Sequence, residues 1–287
     1  MKPAILAAHH VAEQYGIVPD RCVVLQDAHT IVVRITDTLV ARIVTDTTGP
    51  RSGTAWLACE TAIAAHLSHR RAPIIPLHPA LPPTAHEHDG YAMNFWTYVT
   101  AVDAPPAPAD MARTLHQCHR MLSDFDQALP ALAILHESLT ILEQEPVQRS
   151  LTQESIALLS HHLIDSLEKL APLPQQVLHG DAHMGNLMMT TDGLLWSDWE
   201  DAFLGPIEWD IASLIWNAQL LENDHATVSA ILESYQAEGT AIDRAALDQC
   251  LIARAAVMSA WYPLLYPQPS PERQRKLQQR LDWLRQI

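Results

Sequence analysis

The sequence predicts an α+β fold in two lobes: a small antiparallel-sheet lobe with one main helix, then a larger, mostly helical lobe. Three observations predict it. β-branched residues crowd the first hundred positions around a single helical stretch; a proline-dense segment, "DAPPAPAD" at 103–110, interrupts the composition; and beyond it apolar residues recur at helical spacing. The expected boundaries are 1–99 for the first lobe, 100–110 for a hinge and linker, and 111–287 for the second lobe.

The elements follow in order. "HTIVVRITDTLVARIVTD" (29–46) holds two apolar, β-branched runs separated by Thr36, Asp37 and Thr38, the pattern of a hairpin. "TAWLACETAIAAHLSHR" (54–70) places Trp56, Ile63 and Leu67 on one side of a helix. "APIIPLHPALPPTAHEHDGYAMNFWTYVT" (72–100) offers two short strands around a proline-rich loop. The prolines of 103–110 make a stiff, extended connector. Helical spacing then returns over 109–125, 155–170, 209–221, 227–239 and 244–265. The final stretch, "PERQRKLQQRLDWLRQI", reads as an amphipathic helix packed as a cap.

Bulk properties narrow the function. The chain has 287 residues, 48% of them hydrophobic, enough for a sizeable core. Its formal net charge of -15 argues against nucleic-acid and anionic-membrane partners, which call for basic patches, and suits a cationic small molecule. Cys22, Cys59, Cys118 and Cys250 are scattered without a CxxC pair, so neither a zinc knuckle nor a disulfide framework is indicated. The opening "MKPAILAAHHVAEQYG" lacks the long apolar stretch of a signal peptide, and no apolar run approaches the roughly 20 residues of a membrane span. The expected location is cytoplasmic.

The chemistry concentrates at 178–186, "LHGDAHMGN". A metal reading pairs His179 with His183, but Gly180 and Gly185 favour a loop and the HExxH glutamate is missing. A purely structural reading ties a buried turn together by hydrogen bonds. A third reading takes the spacing His179-x-Asp181, then Asn186, as H-x-D-x-x-x-x-N. In a phosphoryl-transfer site the aspartate accepts the proton of an attacking hydroxyl and the asparagine helps hold a metal on the phosphates. Downstream, "DGLLWSDWED" (192–201) sets Asp198 after an apolar run, where a second carboxylate can bridge magnesium to phosphate oxygens.

The joined motifs "HGDAHMGN" and "SDWED" resemble the catalytic core of the aminoglycoside phosphotransferase and choline kinase group of small-molecule kinases, which share the protein-kinase-like fold. The resemblance implies Asp181 as the catalytic aspartate and Asn186 and Asp198 as Mg2+ ligands. It also implies that His179, His183 and Asp210, the last in "EWDIA", brace the catalytic loop. Its specific part is confined to residues 178–210.

That resemblance asks for a nucleotide cradle in the first lobe. In "LVARIV", Arg42 shares a strand face with Val40 and Val44, and on the next helix Glu60 falls on the apolar stripe. Each charge is misplaced alone, and one ion pair explains both. In this fold such a pair reaches the nucleotide phosphates; the usual basic residue is lysine, and here it is arginine. The loop expected over the phosphates, "VLQDAHTIVV", has no glycine, leaving Asp27, His29 and Thr30 to approach phosphate with side chains in place. "FWTYVTA" (95–101) is the expected hinge, where backbone groups near Trp96, Tyr98 and Val99 meet the nucleobase; the alternative reading is that these aromatics belong to the core.

The expected activity is transfer of the γ-phosphate of ATP or GTP to a hydroxyl of a small molecule. Glu200, Asp201 and Glu208, clustered near the metal loop, favour a cationic acceptor such as an aminoglycoside. A macrolide, choline or another amino alcohol, a sugar and homoserine are competing acceptors. A non-catalytic nucleotide-binding module is the alternative from another class.

Overall fold

The computed structural model describes residues 1–27, 30–45 and 54–287; His29 lies outside the described residues, as does the side chain of Trp56. The chain divides into two compact units, the first comprising Met1–Pro106 with Leu187–Glu200, the second Ala107–Asn186 with Asp201–Ile287.

The first unit opens with α1 (Pro3–Gln14), started by a proline in its first turn. Strands β1 (Val23–Asp27), β2 (Thr30–Arg34) and β3 (Leu39–Val44) follow, then α2 (Ala55–His69) and the hairpin β4 (His86–His88) and β5 (Tyr91–Thr97). The sheet is antiparallel in the order β1-β2-β3-β5-β4, so β3 is central. Its odd residues, Leu39, Ala41 and Ile43, join Met93, Phe95 and the apolar face of α1 in one core. Its even side carries Val44, which packs with Leu57 of α2 and Ala92. On α2, Leu57, Ile63 and Leu67 are fully buried, and Glu60 lies among them. Strand β3 therefore shows no alternation of apolar and polar residues: both faces are covered.

In the second unit, α3 (Pro108–Leu122), α4 (Ala133–Leu142), α5 (Glu145–Ser150) and α6 (Gln153–Leu170) precede β6 (Gln176–Val177). The chain returns to the first unit for the hairpin β7 (Leu187–Thr190) and β8 (Gly193–Trp196), which adds its own two-stranded sheet. Ile75 and Trp196 are joined there by a backbone hydrogen bond of 2.9 Å. Strand β9 (Leu204–Gly205) pairs with β6 in the second unit. The helical remainder is α7 (Glu208–Trp216), continued by a π-helical stretch (Asn217–Glu222), α8 (His225–Ala237), α9 (Arg244–Ala260), α10 (Tyr262–Leu265) and α11 (Pro271–Leu284). Every residue of α7 is buried, and α9 buries most of its length. Among the described residues no helix is long and apolar enough to cross a membrane.

Candidate active site

Two constellations carry the chemistry, one in each unit. In the second unit β6 leads into the loop 178–186. Leu178 stays on the β9 side through its N–H to the Phe203 carbonyl, 3.0 Å. The next two backbone amides, His179 and Gly180, both donate to Asp210, at 2.8 and 2.9 Å. Asp210 is fully buried in the first turn of α7, where a negative charge also suits the helix dipole. His119 of α3 contacts the same carboxylate at 2.9 Å and is held in turn by the Tyr235 hydroxyl at 2.7 Å. Trp209 donates its indole N–H to the Gly180 carbonyl, 2.7 Å. Gly180 has φ +85, and an added Cβ would collide with the Asp201 carbonyl. Only glycine makes this turn without strain.

The loop so fixed presents Asp181. One carboxylate oxygen is bound by the Arg254 guanidinium, from the middle of α9. The other lies 3.2 Å from His183 Nε2. Burial alone would raise the pKa of this carboxyl; Arg254 and His183 outweigh it and hold the group well below the usual carboxylate range. His183 is oriented by the Gly185 N–H on its Nδ1, 2.9 Å. Asn186, at the end of a single 3-10 turn, donates its side-chain amide to the Asp181 carbonyl at 3.0 Å. His179 is fully buried and faces the Asp181 N–H through Nδ1 at 3.4 Å. Among the described residues His179, Asp181 and His183 do not converge as a set of metal ligands, so the zinc reading of this stretch has no geometric support.

The first unit holds the second constellation. Arg42 and Asn94 are paired across β3 and β5. Arg42 Nη1 donates to Glu60 at 2.9 Å, and Nη2 meets the carboxylates of Glu200 and, at 3.2 Å, Asp198. Asn94 donates to the same Glu60 oxygen at 2.7 Å and accepts from the Trp96 indole at 2.8 Å. Three carboxylates thus face one guanidinium. Burial, offset by Arg42 and reinforced by Asp198 and Glu200, pushes Glu60 up to about 7. Burial acts against the charge on Arg42, but the three carboxylates hold its pKa above the ordinary value. Asp198 follows β8 with φ +65. Among the described residues its Oδ1 and Glu60 Oε1 are buried without a hydrogen-bond partner; the 3.2 Å approach of Arg42 to Asp198 is an ion pair without hydrogen-bond geometry.

The remaining residues read from sequence fall as follows. Asp27 ends the exposed edge strand β1 and pairs with Lys2. Thr30 is half-buried at the start of β2, opposite Val44. Trp96 lies within β5 and is buried; Tyr98 gives its N–H to Thr38 at 2.7 Å and lies beneath the Arg34 guanidinium; Val99 is half-buried just past the strand. Glu200 sits on Arg42. Asp201 is half-buried in the 3-10 turn Trp199–Asp201. Glu208 is buried and accepts the Asp243 N–H at 3.0 Å. Arg254, Asn94, Trp209 and His119 were missed from sequence. Arg254 had a readable signal: in "CLIARAAV" it is a lone cation on a stripe with Leu247, Cys250 and Val257, all buried.

The sequence profile of the phosphotransferase enzyme family matches residues 22–249. The chain belongs to that family. No curated protein gives a match. Solved structures do. This family member is similar to an amicoumacin kinase in complex with AMP-PNP, Ca2+ and Ami, at 13% identity over 99% of this chain and 94% of that one, with a TM-score of 0.76. It is similar to a choline kinase from Streptococcus pneumoniae, at 12% identity, 97% and 98% coverage and a TM-score of 0.68. A microcompartment-associated aminopropanol kinase matches at 12% identity, 96% and 94% coverage and a TM-score of 0.68. At these identities the likeness is one of fold, and the α+β, protein-kinase-like architecture expected from sequence is the one the phosphotransferase-family chain adopts.

Proposed function

We propose that the chain is a small-molecule kinase that moves the γ-phosphate of ATP or GTP to a hydroxyl. The observation that carries this is Asp181: a carboxylate kept ionised by Arg254 and His183, on a loop whose backbone is pinned by Asp210. Such a carboxylate orients the acceptor hydroxyl and takes its proton as the phosphoryl group leaves the nucleotide. Its depressed basicity suits a loose transition state, in which proton transfer comes late and positioning dominates.

The residues present fit a divalent cation. Asn186 and Asp198 offer oxygen donors, the kind Mg2+ prefers. Among the described residues Asp198 Oδ1 is buried without a hydrogen bond, and three carboxylates on one guanidinium leave net negative charge. Asp198 would hold the ion, which when bound supplies charge neutralisation on the phosphate oxygens. Arg42, braced by Glu60 and Asn94, contributes a fixed positive charge for the triphosphate. Glu60 gives one carboxylate oxygen to both Arg42 and Asn94, so its part is support.

The acceptor follows less directly. Of the acids expected near a cationic acceptor such as an aminoglycoside, Glu200 faces Arg42 and Glu208 accepts the Asp243 N–H. What still supports a cationic acceptor is the net charge of -15. Arg254 adds a positive charge beside the catalytic carboxylate, which favours a hydroxyl set apart from any ammonium group. The test is an acceptor panel of aminoglycosides, a macrolide, choline, aminopropanol, sugars and homoserine, with ATP and GTP and coupled detection of the nucleoside diphosphate. Acceptor-dependent turnover that disappears in Asp181→Ala is expected. Full turnover by Asp181→Ala, or none with Mg-nucleotide bound across a broad panel, would overturn the reading, the latter in favour of a non-catalytic nucleotide-binding module.

A further inference from the structure

Far from Arg42 in sequence and sharing no residue with its cluster, His10 of α1 meets His88 and Asp89 at the end of the β4–β5 hairpin. One ligand atom from each of the three lies within 4.8 Å of the others. The two imidazoles stand edge-on, ring centres 5.2 Å apart, and His88 Nε2 is 3.7 Å from the Asp89 carboxylate. We propose that His10, His88 and Asp89 form a surface site for a borderline transition-metal dication of the Zn2+ or Ni2+ class, tying α1 to the edge of the sheet.

The framework is rigid where a metal site needs rigidity. The opposite face of α1, through Ala4, Ile5, Ala8 and Val11, is part of the core with Ile43, Met93 and Phe95, so the backbone bearing His10 is fixed against the sheet. His88 pairs with Tyr91, and the two residues between them, Asp89 (φ +50) and Gly90 (φ +78), make the tight turn. That pairing is the geometry of an Asp-Gly hairpin turn, and it sets the Asp89 carboxylate beside the His88 ring. Two imidazoles and one carboxylate are a donor set for zinc, nickel or copper, with coordination positions left for water. Magnesium and calcium, which want oxygen, are poorly served. Tetrahedral bonds of about 2.0–2.1 Å put ligand atoms roughly 3.4 Å apart. The three groups therefore need to close by at most about 1.4 Å, within reach of side-chain rotation because His10 and Asp89 are exposed. Such a clamp joins residues 78 positions apart and secures the edge strand β4.

The experiment is calorimetric titration of the whole protein, free of nucleotide, with zinc chloride and separately with nickel chloride. Wild type is compared with His10→Ala, His88→Gln, Asp89→Asn and, as a control elsewhere on the surface, His161→Ala. One saturable site per chain is expected, weakened by about tenfold or more in each of the first three and unchanged in the control. A rise in thermal midpoint with zinc, present in wild type and absent in His10→Ala, is the second readout. Equal affinity in wild type, His10→Ala and His88→Gln, or no saturation below about 1 mM metal, would overturn the site. Neither outcome touches phosphoryl transfer, so the two proposals stand or fall separately.

Discussion

Arg254, buried in the middle of α9, donates to one carboxylate oxygen of Asp181 while the His183 ring approaches the other. The acid proposed for catalysis is therefore held from two sides by residues 71 positions apart. Arg254→Ala removes the stronger partner. The expected loss is about 1–3 kcal/mol of stability, the cost of leaving a partly buried charge unpaired, and about tenfold or more in acceptor-dependent turnover. Arg254→Lys keeps the charge without the planar fork and recovers part of both. The pH dependence has a definite sign. The folded-state pKa of Asp181 is depressed, so its pairing stabilises the fold above the unfolded value of about 3.9 and is lost as pH falls below it. Denaturant unfolding at about pH 2 to 5 should show a steeper acid loss in wild type than in Arg254→Ala.

Glu60 carries the opposite sign. Its pKa rises from 4.5 to about 7, burial being the largest cause. A group that binds its proton more tightly when folded stabilises the fold at low pH, and that contribution fades as pH rises from 4.5 to about 7. Glu60→Gln keeps an acceptor for Asn94 and Arg42 but does not titrate. Stability measured by chemical denaturation should fall less between pH 5 and 7 in Glu60→Gln than in wild type, by about 1 kcal/mol or more. An identical slope in both proteins would show that Glu60 remains ionised throughout.

The pair Arg42 and Glu60 was legible because each charge sat where only apolar residues belong, and burial demanded a partner for both. The same logic applies to Arg254 in "CLIARAAV", yet one misplaced cation without a nearby misplaced anion points nowhere in sequence; its partner is on a loop. Asp181, Asn186 and Asp198 stand out by spacing and type, and the resemblance their motifs carry supplies the roles expected of them. Asn94 was not, because its meaning comes from lying opposite Arg42 across two strands. Helix α1 has no clear signature in sequence: "PAILAAHHVAEQ" is alanine-rich with weak polarity contrast. Helices α4 and α5 were also unread, being short. The hairpin 187–196 was seen only as an apolar run, although Asp192-Gly193 marks its turn. Its grouping with the first unit depends on long-range pairing, such as Trp196 with Ile74, that no local pattern encodes.

Asp210 is the keystone of the loop 178–186 in the sense that three donors converge on it: two backbone amides and His119. Asp210→Ala leaves these groups buried without their acceptor. Each orphaned donor costs about 1–3 kcal/mol, so a loss of about 3 kcal/mol or more is expected. Asp210→Asn retains one acceptor oxygen and should fall between. Thermal unfolding orders the three proteins, and turnover at a temperature where all are folded should drop in the same order, because the loop carrying Asp181 loses its anchor.

Asp198 offers the sharpest separation of metal binding from folding. Its φ of +65 is one that asparagine also tolerates, so Asp198→Asn preserves the backbone while removing the charge. Its side chain is partly exposed, so little stability should be lost, within about 0.5 kcal/mol. What changes is the field around Arg42: one carboxylate fewer faces a guanidinium still held by Glu60 and Glu200. Nucleotide binding without metal should therefore strengthen or stay level, since repulsion of the triphosphate falls. Binding that depends on Mg2+ should weaken, with the half-saturating Mg2+ concentration rising by about tenfold or more. Calorimetric titration of ATP at a series of Mg2+ concentrations reads both effects at once, and an unchanged Mg2+ dependence would remove Asp198 from the metal set.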